Sequence, residues 1–175
     1  SIPVMIVGFI LAKSGMIEKL RTVEIIAWTT LLFGVLLFIS DKFKLDKNIK
    51  KNFNFKSAIF IGLFQILSLI PGVSRSGIAI TAARLLNFNR TDSAKISFLI
   101  SIPILGAVSI FGLYNIFFSE NNNFTEINLM AIILSFFFSL ITIKFFLKYI
   151  QNFNLNLFVY YRVILGLVLL ILTFL

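Results

Sequence analysis

Residues 57–86 read SAIFIGLFQILSLIPGVSRSGIAITAARLL, and this stretch decides the fold. An apolar leg, 57–70, precedes the break Pro71-Gly72-Val73-Ser74-Arg75-Ser76-Gly77, and a shorter leg, 78–86, follows it. Two complete bilayer crossings would need about 40 residues, and the stretch is too short for them. A single lipid-exposed crossing would place proline, two glycines and arginine in hydrocarbon, where each unsatisfied backbone group costs several kcal/mol. We therefore predict a re-entrant hairpin over 57–86 that turns inside the protein and leaves on the side it entered.

The composition of the chain excludes a water-soluble globule. The 175 residues are 59% hydrophobic and 13% charged, whereas soluble domains are about 25% charged. Sixteen basic and seven acidic residues give a net charge of +9. Membrane topology explains this charge better than nucleic acid does, so no nucleic-acid partner is expected. The chain has neither cysteine nor histidine, which excludes disulfides, thiolate catalysis and histidine as a base or metal ligand.

Four other stretches approach the roughly 20 apolar residues that a membrane span needs. They are residues 23–39, 93–114, 127–146 and 157–175. Residues 1–11 are apolar but make only half a span, and no basic segment or cleavage site marks a signal peptide. We therefore expect the sequence to begin inside a longer protein. The prediction is an all-α integral membrane protein, a polytopic helical bundle with one membrane domain over 1–175.

The loops between these stretches predict the topology. Residues 40–56 carry six lysines and two aspartates, which places this basic loop in the cytoplasm by the positive-inside rule. Residues 115–126 contain two glutamates and no lysine or arginine, as expected for an outer loop. Residues 13–21 carry three basic residues, which this topology places on the outer side, against the positive-inside rule. At ~1.5 Å per residue, the first hairpin leg reaches ~21 Å into a ~30 Å core, so the break should open to an outward cavity.

The break itself has the composition of an anion pocket. Gly72 and Gly77 permit positive φ angles and close backbone approach to a ligand. The helix that follows has unpaired N–H groups at its start, and such groups bind phosphate. Arg75 can bind phosphate through paired charge-assisted hydrogen bonds, and Ser74 and Ser76 add hydroxyl groups. We predict a pocket for a phosphate or diphosphate; the alternative is a structural loop in which Arg75 satisfies buried carbonyls.

Four elements together resemble the undecaprenyl-diphosphatase family of bacterial membranes: Gln65, Pro71–Gly77, Ser97–Pro103 and Tyr161-Arg162. The resemblance implies hydrolysis of undecaprenyl diphosphate to undecaprenyl phosphate and inorganic phosphate. This reaction recycles the lipid carrier of cell-wall synthesis and confers bacitracin tolerance. The resemblance also implies a bacterial inner-membrane location, an active site facing the periplasm, and two inverted repeats with a re-entrant helix pair each. This chain would hold half of that architecture.

The resemblance also assigns residues within this chain. The catalytic residues it implies are Arg75, Ser74 and Ser76, and the substrate-binding residues are Gly72, Gly77 and Gln65. The threonine that the family usually has three residues after Ser76 is Ala79 here. Whether a serine or water attacks the phosphorus is left open.

A divalent cation, Mg²⁺ or Ca²⁺, is a further implication of the resemblance. Its ligands would belong to a first family motif, with paired acids and a histidine, that this chain does not contain. We therefore expect the 175 residues alone to be inactive. Two other functions stay open: a transporter or flippase for a phosphorylated lipid, and a non-catalytic protein that binds lipid head groups. The oligomeric state is also left open, with a homo-oligomer as one alternative.

Other polar residues receive structural interpretations. Arg162 matches a family position, but the favoured interpretation is a side chain that snorkels to the membrane interface. Thr91 or Asp92 is expected to cap the helix that follows. Glu18 and Glu24 are expected to flank a span rather than take part in chemistry.

Overall fold

The computed structural model describes residues 1–42, 47–118 and 126–174, and regular structure in these ranges is helical. The elements are α1 Ile2–Lys13, α2 Met16–Lys19, α3 Val23–Lys42, α4 Ile49–Asn52, α5 Phe55–Phe64, a 3₁₀ helix Gln65–Leu69, α6 Arg75–Leu85, α7 Arg90–Phe118, α8 Glu126–Asn152 and α9 Asn156–Phe174. A backbone bridge between Lys47 and Phe88 stands outside these helices. The predicted all-α polytopic architecture is confirmed.

The four predicted spans correspond to α3, α7, α8 and α9, which are long and apolar enough to cross a membrane. The helices extend beyond the predicted stretches, α3 to Lys42 and α8 to Asn152. Three predicted segments lie partly outside the described residues: the basic loop at 43–46, the outer loop at 119–125 and the last span at residue 175.

Residues 55–85 form a helix–break–helix hairpin. The first leg is α5 continued by the 3₁₀ helix to Leu69, and the second leg is α6, which packs against α5. The chain segments before and after the hairpin lie side by side, because Lys47 N donates to Asn87 O at 3.1 Å and Asn89 N donates to Lys47 O at 3.1 Å. Both legs therefore connect to the same end of the bundle. The re-entry of this hairpin into a bilayer stays a prediction.

That end of the bundle is fastened by a buried ion cluster, here called the base cluster and formed by Asp41, Arg84 and Arg90. The Asp41 carboxylate is 3% exposed and accepts bonds from Arg90 Nε at 2.7 Å and Nη2 at 3.0 Å. It also accepts a bond from Leu155 N at 3.1 Å, just before α9. Arg84 Nη2 donates to the Asp41 backbone oxygen at 3.2 Å. One carboxylate thus joins the ends of α3 and α6 to the starts of α7 and α9.

The start of α7 differs from the prediction. Asn89 supplies the cap, since its side-chain oxygen accepts a bond from Asp92 N at 2.8 Å. The prediction of Thr91 or Asp92 as the cap is therefore wrong by two or three positions. Asp92 instead accepts a bond from Ile49 N at 3.0 Å and ties α4 to α7.

Helices α3 and α9 pack closely along their length. A Cβ atom added at Gly166 of α9 would lie 2.6 Å from the Leu31 side chain of α3, so only glycine permits this approach. Two apolar clusters surround the hairpin. One contains Leu37, Ile80, Ala94, Ile150, Leu155 and Val159. The other contains Ile61, Ala79, Ala82, Ala83, Phe88 and Ile96.

Candidate active site

Helix α3 holds the hairpin tip, defined here as residues 70–77. Thr29 Oγ1 lies 2.7 Å from Pro71 O, and Thr30 Oγ1 donates to Gly72 O at 3.4 Å. The Thr29 hydroxyl has a single proton, which it shares between Pro71 O and the Ile25 carbonyl of its own helix at 2.8 Å. Gly72 has φ +87°, a left-handed conformation that glycine adopts without steric cost. The tip therefore turns sharply against the middle of α3.

Arg162 of α9 also binds the Gly72 carbonyl of the hairpin tip. Its side chain is 8% exposed, and Nη2 donates to Gly72 O at 2.8 Å. Its Nε is buried without a hydrogen-bond partner in the part of the chain that the structure describes. The interpretation of Arg162 as a snorkelling residue is therefore wrong: the guanidinium points into the bundle, at the hairpin tip.

The start of α6 presents donors to the same region. Ser74 caps the helix, because its Oγ accepts a bond from Gly77 N at 3.1 Å. The Ser74 Oγ also lies 3.2 Å from the Ser76 Oγ. Ser97 of α7 donates to Ser76 O at 3.2 Å and fixes this first turn. The N–H groups of a first helical turn have no partner within the helix and carry partial positive charge. This turn therefore favours an anion.

A cavity of about 400 Å³ lies next to the tip, between α3, α6, α8 and α9. Its polar lining consists of Thr30, Ser74, Ser76 and Arg162, with Gly72 and Gly77 between them. The rest of the lining is mainly apolar: Ile26, Leu37, Ile80, Phe146, Leu155, Phe158, Tyr161 and Leu165. The cavity thus joins a cationic, hydroxyl-lined end to an apolar one.

The residues implied by the resemblance are partly brought together. Ser74, Ser76, Gly72 and Gly77 line the cavity, whereas Arg75 is exposed and does not line it. Gln65 lies in the 3₁₀ helix, also outside the cavity. It is 0% exposed, and neither polar atom of its amide has a partner among the described residues. The roles assigned to all six residues stay predictions.

Arg162 and the two threonines of α3 enter the site from elsewhere in the sequence. Arg162 carried a detectable signal, since an ionisable residue within a span indicates function by default. Thr29 and Thr30 carried none, because their importance arises only from the packing of α3 against the tip. Ala79 is fully buried in the apolar cluster with Ile61 and Ile96, not at the cavity.

The residues described do not fit a bound divalent cation. Within the described ranges, no three His, Cys, Asp or Glu residues come together, and no carboxylate lines the cavity. The buried carboxylate of Asp41 is occupied by arginines at the base. The chemistry of this donor set is that of anion binding by cations, hydroxyls and N–H groups.

The contact between Thr29 and the tip supplies a first testable prediction. We expect Thr29→Val to destabilise the protein by about 1 kcal/mol, because the Pro71 carbonyl loses a donor while the side-chain volume is kept. Thr29→Ser retains the hydroxyl and is the matched control. Thermal unfolding of both variants in the same detergent tests this, and equal midpoints for the two would contradict it.

Comparison with known proteins places this chain in a family. A family model described as "Bacitracin resistance protein BacA" matches residues 1–168. A protein of Pelagibacter ubique (strain HTCC1062) named undecaprenyl-diphosphatase is 50% identical, over 99% of this chain and 68% of its own length. Proteins of the same name from Roseobacter denitrificans and Methanococcus aeolicus are 38% and 39% identical, over 98% and 97% of this chain and 64% and 67% of their own lengths. The chain thus spans about two thirds of these relatives, and it belongs to the family of the bacitracin resistance protein BacA.

Proposed function

We propose that this chain acts in the hydrolysis of undecaprenyl diphosphate to undecaprenyl phosphate and inorganic phosphate, the lipid-recycling step of cell-wall synthesis. Membership of the family and the shared name of the relatives support this function. One observation carries it in the structure: a single cavity joins Arg162 and two serines to an apolar pocket. A lipid diphosphate has the same division between a charged head and a hydrocarbon tail.

The site supplies the binding half of a phosphoryl transfer. In the reaction, an oxygen nucleophile attacks the terminal phosphorus, the bridging P–O bond breaks, and undecaprenyl phosphate leaves with the bridging oxygen. Such transfers depend on positioning and on stabilisation of the charge on the phosphoryl oxygens. Arg162, the serine hydroxyls and the first N–H groups of α6 can all donate to these oxygens. Water, Ser74 and Ser76 are the candidate nucleophiles.

The position of the tip supports a site that opens toward the periplasm of the inner membrane. Thr30, which contacts the tip, lies about 18 Å along α3 from Lys42 and about 10 Å from Val23. The base end carries the basic loop and is cytoplasmic by the positive-inside rule. The tip then lies in the outer half of the bilayer, within reach of a head group from the periplasmic leaflet.

Replacing Arg75 tests the catalytic role that the resemblance implies for this residue, which does not line the cavity. It is the first residue of α6 and is exposed, between the two cavity serines. We expect Arg75→Ala to lower kcat/KM at least about 100-fold, the effect typical of removing one group that stabilises transition-state charge. The measurement is phosphate release from a long prenyl diphosphate by the full-length protein in nanodiscs.

Arg21→Ala, which removes an arginine that is likewise exposed, is the matched control and should keep its activity. Unchanged turnover by Arg75→Ala would remove Arg75 from the site. The same assay with Mg²⁺, Ca²⁺ or a chelator tests the divalent cation, which stays a proposal. Movement of the lipid between leaflets without phosphate release would support a flippase instead, an alternative that the names of the relatives do not favour.

A further inference from the structure

The apolar end of the cavity continues directly from its polar end. Leu37, Ile80 and Leu155 lie behind it, already packed in the first apolar cluster, and its accessible surface belongs to the partly exposed side chains of Phe146, Phe158, Tyr161 and Leu165. A phosphate group makes no favourable contacts with apolar side chains, and an apolar surface without a partner loses dispersion contacts. This part of the cavity therefore calls for an occupant with hydrocarbon character.

The cavity also has a direction. Along α3 it runs from Ile26, past Thr30 beside the tip, to Leu37, about 10 Å nearer the base than Thr30. Along α9 it runs from Leu165, past Arg162, back to Leu155 just before the helix, the residue bound to Asp41 of the base cluster. In the predicted topology this path begins in the outer half of the bilayer and crosses its middle, the direction taken by the tail of an outer-leaflet lipid.

One wall of the cavity is shared by α8 and α9. The rings of Phe146 and Phe158 meet edge to face, with centroids 5.2 Å apart, and both residues are half-buried. Further along α9, Tyr161 is 64% exposed while also lining the cavity. Since α8 is exposed almost throughout its length before Phe146, this wall separates the cavity from the surroundings by little more than one layer of side chains.

We propose that this apolar end binds the isoprenoid units next to the diphosphate, and that the rest of the prenyl chain leaves between α8 and α9 into the lipid. The inference rests on the proposed function, because it assumes that the head group binds at the tip. It adds the residues that would recognise the tail, above all Phe146 and Phe158. These are specificity residues, distinct from the groups that contact phosphate.

Photochemical labelling tests the location of the tail without requiring turnover. The probe is a long-chain alkyl diphosphate with a diazirine on the carbons next to the head group, bound to the full-length protein in nanodiscs. We expect labelled peptides from α8 around Phe146 and from α9 between Leu155 and Leu165, competed away by unlabelled prenyl diphosphate. Labelling confined to α5 or α7 would overturn the proposal.

Kinetics supply the second measurement. We expect Phe158→Ala and Phe146→Ala to raise KM for a long prenyl diphosphate about tenfold, in the range for lost apolar contacts, and to change the value for methyl diphosphate, which has no isoprenoid unit, less than twofold. Phe145→Ala removes a neighbouring ring that is 71% exposed and outside the cavity, and it should leave both values unchanged. Equal losses with the two substrates would overturn the tail site. Failure of the unmodified protein to release phosphate from any of them would instead overturn the proposed function.

Discussion

Gly72→Ala is expected to lower the rate of phosphate release about 100-fold and to lower the free energy of unfolding by at least about 2 kcal/mol. At φ +87° an L-side chain is strained, and the added Cβ would overlap Thr29 Oγ1 and lie 2.6 Å from the Ile26 carbonyl oxygen. The Ile26 carbonyl belongs to the backbone of α3 and cannot turn aside. The tip must therefore move away from α3, and a displacement of about 1 Å at a reacting centre can lower the rate about 100-fold.

Gly106→Ala is the matched control for this substitution. Gly106 lies inside α7, and an added Cβ would meet nothing within 4 Å. Alanine in a helix interior is favoured over glycine by roughly 0.5–1 kcal/mol, so this variant should be as stable as the unmodified protein or slightly more so. Thermal unfolding and phosphate release are measured for both. A Gly72→Ala protein that keeps its midpoint and its turnover would show that the left-handed turn is dispensable.

Asp41→Asn is expected to cost about 3–5 kcal/mol of stability, the usual result of breaking a buried ion pair by neutralising one partner. The change keeps the shape of the side chain but removes a charge that compensates two arginines of the base cluster, Arg84, 2% exposed, and the part-exposed Arg90. Four chain segments converge on this carboxylate, so the effect should reach the hairpin as well. Denaturant unfolding in detergent gives the free energy directly.

Asp92→Asn is the matched control for Asp41→Asn, because it removes a carboxylate charge that does not belong to the base cluster. Asp92 also lies at the base, but its ionic partner Lys95 is half exposed at 3.7 Å, and such pairs contribute about 1 kcal/mol or less. An amide oxygen can still accept the bond from Ile49 N. A loss of stability in Asp41→Asn no larger than that in Asp92→Asn would mean that the base cluster is screened and contributes little.

The spans and the hairpin break could be predicted from the sequence because both follow from local properties. The four long apolar stretches need only length and hydropathy, and the break needs only proline, glycine and the shortness of its two legs. The short helix α4 within the predicted basic loop was not predicted. Its start depends on the side chain of Asn48 and on Asp92, the latter 43 residues away from Ile49.

The site was predictable at the hairpin tip and not beyond it. Ser74 and Ser76 are two residues apart in the sequence and their hydroxyl oxygens lie 3.2 Å apart, so local composition was enough to predict that they lie together. Arg162 reaches Gly72 across 90 residues, and Thr29 reaches Pro71 across 42. Such contacts depend on how α3 and α9 pack against each other, which hydrophobic patterning does not determine when almost every position of a span is apolar.

The contact between Arg162 and Gly72 links ligand binding to folding. The carbonyl of Gly72 is neutral, and Arg162 forms no ion pair within the residues that the structure describes. The ligand-free protein therefore bears the free-energy cost of a desolvated cation, and an anion at the tip removes part of it. Binding energy of this kind raises the melting temperature with ligand concentration. A cell that accumulates the lipid diphosphate would thus hold this protein in a more stable form than a cell depleted of it.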